Sequence, residues 1–202
     1  AMGEDLVRLE RNPFIGVKVG RICDRSRRKI RRSFSSEELD RLFRSKVFTE
    51  GYRPRAAIGE AAFWLPLLGL FTGARLEELA QLQVGDVRTV NGGPFIAIHA
   101  HDNQHHLKNE ASWRLVPLHQ VVLAAGFIEY VSAVRQSGSS RLFPALKADR
   151  FDKLSFGFSK WFGRYMDHCG LTDPSLDFHC FRATFKDVCR LARVPEDVHD
   201  AL

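Results

Sequence analysis

The stretch 71-FTGARLEELAQL-82 decides how the rest of the chain is read, because it sets one arginine inside an apolar and acidic run, directly after a Thr-Gly pair. Thr72-Gly73 ends a strongly apolar helix over residues 55–70, which Pro66 slows. A short amphipathic helix then runs from Arg75 to Leu82, with Leu76, Leu79 and Ala80 facing inward. Arg75 and Glu78 lie three apart and share one face of it. A cation placed at the opening of a buried helix, beside an acid, is a candidate for chemistry. By itself the pair would be an ordinary surface ion pair.

Working outward, the pattern toward the amino end is helical and then strongly basic. Ser35 and Glu38 form a capping-box spacing that opens a helix through about Lys46. Residues 1–55, which include this helix, hold 15 Lys/Arg against 8 Asp/Glu, while the remainder holds 15 against 16, so the net charge of +6 comes entirely from the front of the chain. The excess is densest in RICDRSRRKIRR, residues 21–32, where seven basic side chains face one acid. Such a run repels itself and does not pack, so it reads as an arm awaiting a polyanion. Arg27, Arg28, Lys29, Arg31 and Arg32 are the candidate DNA-phosphate contacts.

Toward the carboxyl end the period changes. VRTV, NGGP and FIAIHA read as strand, turn and strand, since Asn-Gly-Gly supplies the positive backbone angles of a tight hairpin. WRLVPL makes a third strand, and Lys108 falls in the loop that precedes it. Helices resume at about 120–136, 153–169 and 177–192, separated by SGSSRLFP and GLTDPSL. The last carries HCFR, with His179 and Arg182 one turn apart and Phe178, Phe181 and Phe185 suited to the core.

The composition supports a folded chain of 202 residues, 45% hydrophobic and 11% aromatic. AAFWLPLLGLF is too short to cross a bilayer and holds a proline, and no secretory signal opens the chain, so a soluble, cytoplasmic, nucleoid-associated protein is expected. Cys23, Cys169, Cys180 and Cys189 form no CxxC pair and read as reduced and buried. HAHDNQHH, residues 99–106, has the look of a metal tract in His99, His101, His105 and His106. No cysteine or supporting group stands near, so no metal is expected there.

Two arginines, a lysine and a histidine on separate elements suit phosphoryl transfer without a metal. Arginine forks bond two oxygens of one phosphate, and lysine and histidine can move protons to the oxygens entering and leaving. TGARLEEL, KNEASWRLVPLH, LFP and FHCFRATF, in that order, resemble the catalytic domain of the tyrosine recombinases, or phage integrases. The resemblance runs from about Asn12 to Leu202, with NPFIGV, the basic stretch and FSSEEL similar to that family's interdomain linker. It implies a mostly α-helical α+β fold with a small three-stranded antiparallel sheet: residues 1–33 as a basic linker and 34–202 as the catalytic domain.

The resemblance also implies roles. Arg75 and Arg182 match the phosphate-clamping arginines, Glu78 the supporting acid, Lys108 the lysine that protonates the departing 5′ oxygen, and His179 the histidine that assists proton transfer. In the family a tyrosine attacks the scissile phosphate to give a 3′-phosphotyrosyl intermediate, with no cofactor. Tyr52, Tyr130 and Tyr165 all precede HCFR, and the Gly-His pair that should follow is absent, so the sequence is expected to be a fragment of the catalytic domain that lacks the nucleophile. Asn109 stands where a threonine is frequent. The implied partner is double-stranded DNA at attachment sites, engaged by a tetramer of the full-length protein, the fragment itself being monomeric. A type IB topoisomerase and a non-catalytic DNA-binding or regulatory protein on the same scaffold are the alternatives.

Overall fold

The computed structural model describes residues 32–54, 58–98 and 114–201. Within them the order is α1 (Ser36–Phe43), α2 (Lys46–Thr49), α3 (Ala61–Thr72), α4 (Leu76–Ala80), a 3-10 turn (Val84–Asp86), β1 (Val87–Val90), β2 (Gly93–Ile98), β3 (Arg114–Pro117), α5 (Gln120–Ala124), α6 (Phe127–Gln136), α7 (Ser155–His168), α8 (Cys180–Leu191) and α9 (Glu196–Ala201). The three strands form one antiparallel sheet in the order β1-β2-β3. Mostly helical with a small sheet, this is the α+β architecture expected. Among the described residues no helix is long and apolar enough to cross a membrane.

Helix α3 is the axis of the core because its sequence is apolar on every side, the mark of a helix with no solvent face. Ala61, Ala62, Trp64, Leu65, Leu67 and Leu68 are all buried. Two aromatic groups pack on opposite flanks. Trp64 meets the Phe127 ring edge-on at 5.1 Å and stacks on Tyr130 at 5.4 Å, which brings in α6. On the other flank Phe178 and Phe181 lie 5.2 Å apart and pack with Phe158 and Phe162, bringing in α7 and α8. Burial of each such ring contributes roughly 1.5–3 kcal/mol.

Close approach between α3 and α8 needs glycine at two places. A Cβ at Gly69 would stand 2.7 Å from Phe178 Cζ, and one at Gly73 would stand 2.5 Å from Phe185 Cδ1. Gly73 also ends α3 in the left-handed region, at φ 63°, with its N–H donating to the Gly69 carbonyl.

Three local expectations are refined. The capping box at Ser35 and Glu38 is present, yet α1 stops at Phe43 and the chain restarts as α2 at Lys46. Ser45 separates the two helices, its hydroxyl donating back to the Leu42 carbonyl. The helix expected over 120–136 is two helices, broken at Gly126 with φ 88°. The hairpin turn is two residues long, Asn91 at φ 50° and Gly92 at φ 79°, so Gly93 and Pro94 already belong to β2.

The last described residues of the arm are tied to the body. Arg32 spreads its guanidinium over both Glu38 oxygens, at 2.7 and 2.6 Å, and over Asp173 Oδ2 at 3.0 and 2.7 Å. Ser33 donates to Asp187, and the Phe34 N–H donates to Thr184 Oγ1 at 2.9 Å. The segment therefore lies along α8, the helix that carries Arg182.

Candidate functional site

The site begins with the turn between α3 and α4. Thr72 closes α3 by donating its hydroxyl to the Leu68 carbonyl at 2.6 Å and accepting the Ala74 N–H at 3.2 Å. Gly73 then reverses the chain and leaves Arg75 as the residue before α4. The Glu78 carboxylate accepts the Arg75 backbone N–H at 2.8 Å, satisfying a donor that the helix leaves unpaired. It also accepts the Arg75 guanidinium at 3.1 Å. The spacing Thr-Gly-x-Arg-x-x-Glu is therefore the chemistry of one turn: a hydroxyl to close, a glycine to reverse, an arginine to project and an acid to hold it.

Arg182 reaches the same turn from α8. Its Nη1 donates to the Gly73 carbonyl at 2.7 Å, across 109 residues of sequence. His179 begins α8, exposed, with its backbone N–H held by Asp177 Oδ1 at 2.9 Å. A shallow cleft of about 190 Å³ lies beside the turn, lined by Leu76, Ser159, Asp177, Phe178 and His179. Leu76 follows Arg75 directly, so α4 and the start of α8 share this cleft. Lys108, the histidine tract 99–106, Cys23 and the arm residues Arg27, Arg28, Lys29 and Arg31 lie outside the described residues. Arg32 is described, and its donors face Glu38 and Asp173.

One participant was not legible in the sequence. Arg114, the first residue of β3, places Nη2 2.7 Å from Glu78 Oε2 and Nη1 3.5 Å from Oε1. Glu78 thus sits between two arginines with its side chain 7% exposed, while that of Arg75 is 65% exposed and that of Arg114 16%. Burial alone would raise the Glu78 pKa. The hydrogen bonds from Arg114 and from the Arg75 N–H, with the charges of both arginines, outweigh it and hold the carboxyl below its ordinary value. The faint signal in the sequence was a charge inside the strand pattern WRLVPL, with nothing local to identify the acid 36 residues away that accepts it.

Its neighbour Glu77 acts in the other direction, accepting the Leu154 and Ser155 N–H groups at 3.1 and 3.0 Å and so capping the start of α7. The paired acids of LEEL fix α4 against β3 and α7 together.

The three tyrosines are placed elsewhere. Tyr130 donates its hydroxyl to the Leu142 carbonyl at 2.6 Å, and burial raises its pKa. Tyr165 donates to Ser45 Oγ at 2.8 Å and accepts the Val47 N–H. Tyr52 lies under the Lys46 ammonium, 4.4 Å from the ring centre. Cys180 and Cys189 are buried and Cys169 half-buried, all as free thiols whose pKa burial raises.

A small three-stranded antiparallel sheet beside a helical body is a tyrosine recombinase-like fold, as the comparison with solved structures bears out. Among solved structures it is similar to the site-specific recombinase XerH bound to a palindromic difH substrate in a post-cleavage complex, with a TM-score of 0.59, 19% identity, 85% of this chain covered and 46% of that one. It is similar to the Tn1549 transposon integrase in complex with transposon right-end DNA, at 0.57 and 16%, over 96% of this chain and 63% of that one. It is also similar to the XerA recombinase, at 0.51 and 16%, over 84% and 53%. The chain spans about half the length of the XerH and XerA chains and under two thirds of the integrase chain. No protein-family sequence profile matches it, and comparison with curated proteins finds no match.

Proposed function

We propose that the chain is the phosphate-gripping part of a site-specific DNA recombinase, in which Arg75 and Arg182 hold the scissile phosphate, His179 and Lys108 assist proton transfer, and Glu78 supports Arg75. The observation that carries this reading is the bond from Arg182 to the Gly73 carbonyl, which brings the second arginine to the turn that projects the first. The recombinase-like fold, and the DNA present in the XerH and integrase complexes, support duplex DNA as the ligand. Arg27, Arg28, Lys29 and Arg31 add sequence-independent phosphate contacts, and Arg32 anchors that arm to α1 and to the loop before α8.

Strand cleavage in such an enzyme proceeds by attack of a tyrosine on phosphorus, with release of a 5′ hydroxyl that must be protonated. Removing one clamping arginine raises this barrier by roughly 3–4 kcal/mol, whereas removing the nucleophile abolishes the route. The bonded hydroxyls of Tyr130 and Tyr165 support a nucleophile other than these residues. They also favour the second reading, a non-catalytic DNA-binding module on the same scaffold.

Duplex binding by fluorescence anisotropy tests the clamp. Arg75→Ala and Arg182→Met should each weaken binding by about tenfold, the value of one charge-assisted contact, and wild-type affinity in both would end the reading. Incubation of the 202-residue chain with a nicked suicide duplex should give no covalent adduct. A phosphotyrosyl band would show that Tyr52, Tyr130 or Tyr165 attacks.

A further inference from the structure

We propose that Arg114 is a positioning residue for Arg75, acting by fixing the Glu78 carboxylate against which the Arg75 side chain is bonded. The inference rests on the phosphate-site reading above and adds a residue to it.

The geometry is that of an inner and an outer partner sharing one acid. Glu78 takes four contacts, two from Arg75 at 2.8 and 3.1 Å and two from Arg114 at 2.7 and 3.5 Å. The shorter side-chain bond is the inner one. Arg114 is fixed by its strand, paired with Ile98 at the edge of the β2–β3 ladder, and its side chain is largely buried. Arg75 stands at the mouth of the turn with about two thirds of its side chain exposed. An exposed arginine samples many rotamers, and ordering it on a phosphate costs entropy unless a neighbour has already restricted it. A carboxylate can do this only if it is itself immobile.

Glu78 belongs to a helix of five residues, which alone is too short to hold a side chain rigidly. The strand-borne fork of Arg114, bonding across both oxygens, supplies the rigidity. It also lowers the cost of keeping that carboxylate charged while buried, the direction seen in its depressed pKa. The charged groups against Glu78 among the described residues are Arg75 from the turn and Arg114 from β3. An acid held by Arg114 alone would merely pin α4 to the sheet. The second bond, outward to Arg75, carries that fixity to the site.

A double-mutant cycle on duplex affinity separates positioning from simple support. The proteins are wild type, Arg75→Ala, Arg114→Met, Arg114→Lys and the Arg75→Ala/Arg114→Met double variant, each checked for cooperative thermal unfolding and titrated with a fluorescein-labelled duplex. Arg75→Ala should weaken binding about tenfold and Arg114→Met about three- to tenfold. The double variant should bind no worse than Arg75→Ala alone, because both changes remove the same contact. Arg114→Lys keeps the charge but loses the fork and should fall between wild type and Arg114→Met.

If Arg114→Met costs as much in the Arg75→Ala background as in wild type, or nothing in either, Arg114 is not positioning Arg75. Should Arg114→Met fail to fold, the same cycle run with Arg114→Lys decides by the same criterion. A silent Arg75→Ala would end this inference, and a silent Arg182→Met beside it would overturn the phosphate reading as well, so the two failures are distinguished by which variants are silent.

Discussion

Replacing Gly73 by alanine strikes the fold and the site at one atom. Its backbone lies at φ 63°, where an alanine Cβ meets the following carbonyl at a cost of about 1–2 kcal/mol. The new Cβ would also stand 2.5 Å from Phe185 Cδ1, 3.0 Å from Cγ and 3.2 Å from Cε1, so the ring or α8 must move. Overpacking of this kind costs about 1–3 kcal/mol. The sum, roughly 2–5 kcal/mol, corresponds to a fall in melting temperature on the order of 10 °C at this chain length. Gly92→Ala is the internal control. Its φ is 79° and no atom lies within 4 Å of the added Cβ, so only the backbone cost applies. Thermal unfolding by circular dichroism should therefore rank wild type above Gly92→Ala, and Gly92→Ala above Gly73→Ala. Trimming Phe185 to alanine in the Gly73→Ala background should cost less than the two single changes added, since the clash goes with the ring. Equal melting of the Gly73 and Gly92 variants would refute the close approach of α8 to the turn, and with it the geometry that brings Arg182 to the Gly73 carbonyl.

Two further perturbations test other parts of the molecule. Phe127 is fully buried against Trp64 and Tyr130, so Phe127→Ala should destabilise by about 3–5 kcal/mol in urea unfolding, whereas Phe151→Ala, at a residue 66% exposed, should stay within about 0.5 kcal/mol of wild type. Asp173 has its pKa lowered to about 2 by the Ser175 hydroxyl and N–H and by Arg32. A depressed carboxyl contributes stability that is present above its unfolded pKa and lost as pH falls through its folded one. Acid melts of Asp173→Asn should accordingly show less loss than wild type between about pH 4 and pH 2, and parallel curves would contradict a carboxylate held by Ser175 and Arg32 together.

What the sequence disclosed depended on how far apart the partners lie. Helix α3, the Asn91-Gly92 turn and the capping box at Ser35 are written in neighbouring residues, and periodicity or turn chemistry suffices to find them. The same holds for Arg75 with Glu78, three residues apart on one turn. Arg114 and Glu78 are separated by 36 residues, and nothing local to WRLVPL names its partner. Arg32 is a sharper case. Its surroundings in the sequence are uniformly basic, which favours a phosphate as partner, yet Asp173 lies 141 residues away and takes two of its bonds. The single helix expected over 120–136 failed for a local reason: Gly126 adopts φ 88°, open to glycine at little cost, and apolar spacing on either side cannot reveal it.

The site is built so that its two arginines depend on different parts of the fold. Arg75 is held from beneath by Glu78 and, through it, by the sheet, while Arg182 is held on the backbone of the Gly73 turn by a neutral carbonyl. A charged acid under Arg75 offsets part of its positive charge and fixes its direction. The Gly73 carbonyl under Arg182 Nη1 fixes the position of that guanidinium on the turn. The buried carboxylate therefore ties the turn that carries Arg75 to β3 in the protein as it stands. On the proposed reading salt should affect duplex binding and folding unequally, since binding would set exposed charges against a polyanion and be strongly screened, whereas the Glu78–Arg114 pair is buried and is screened much less.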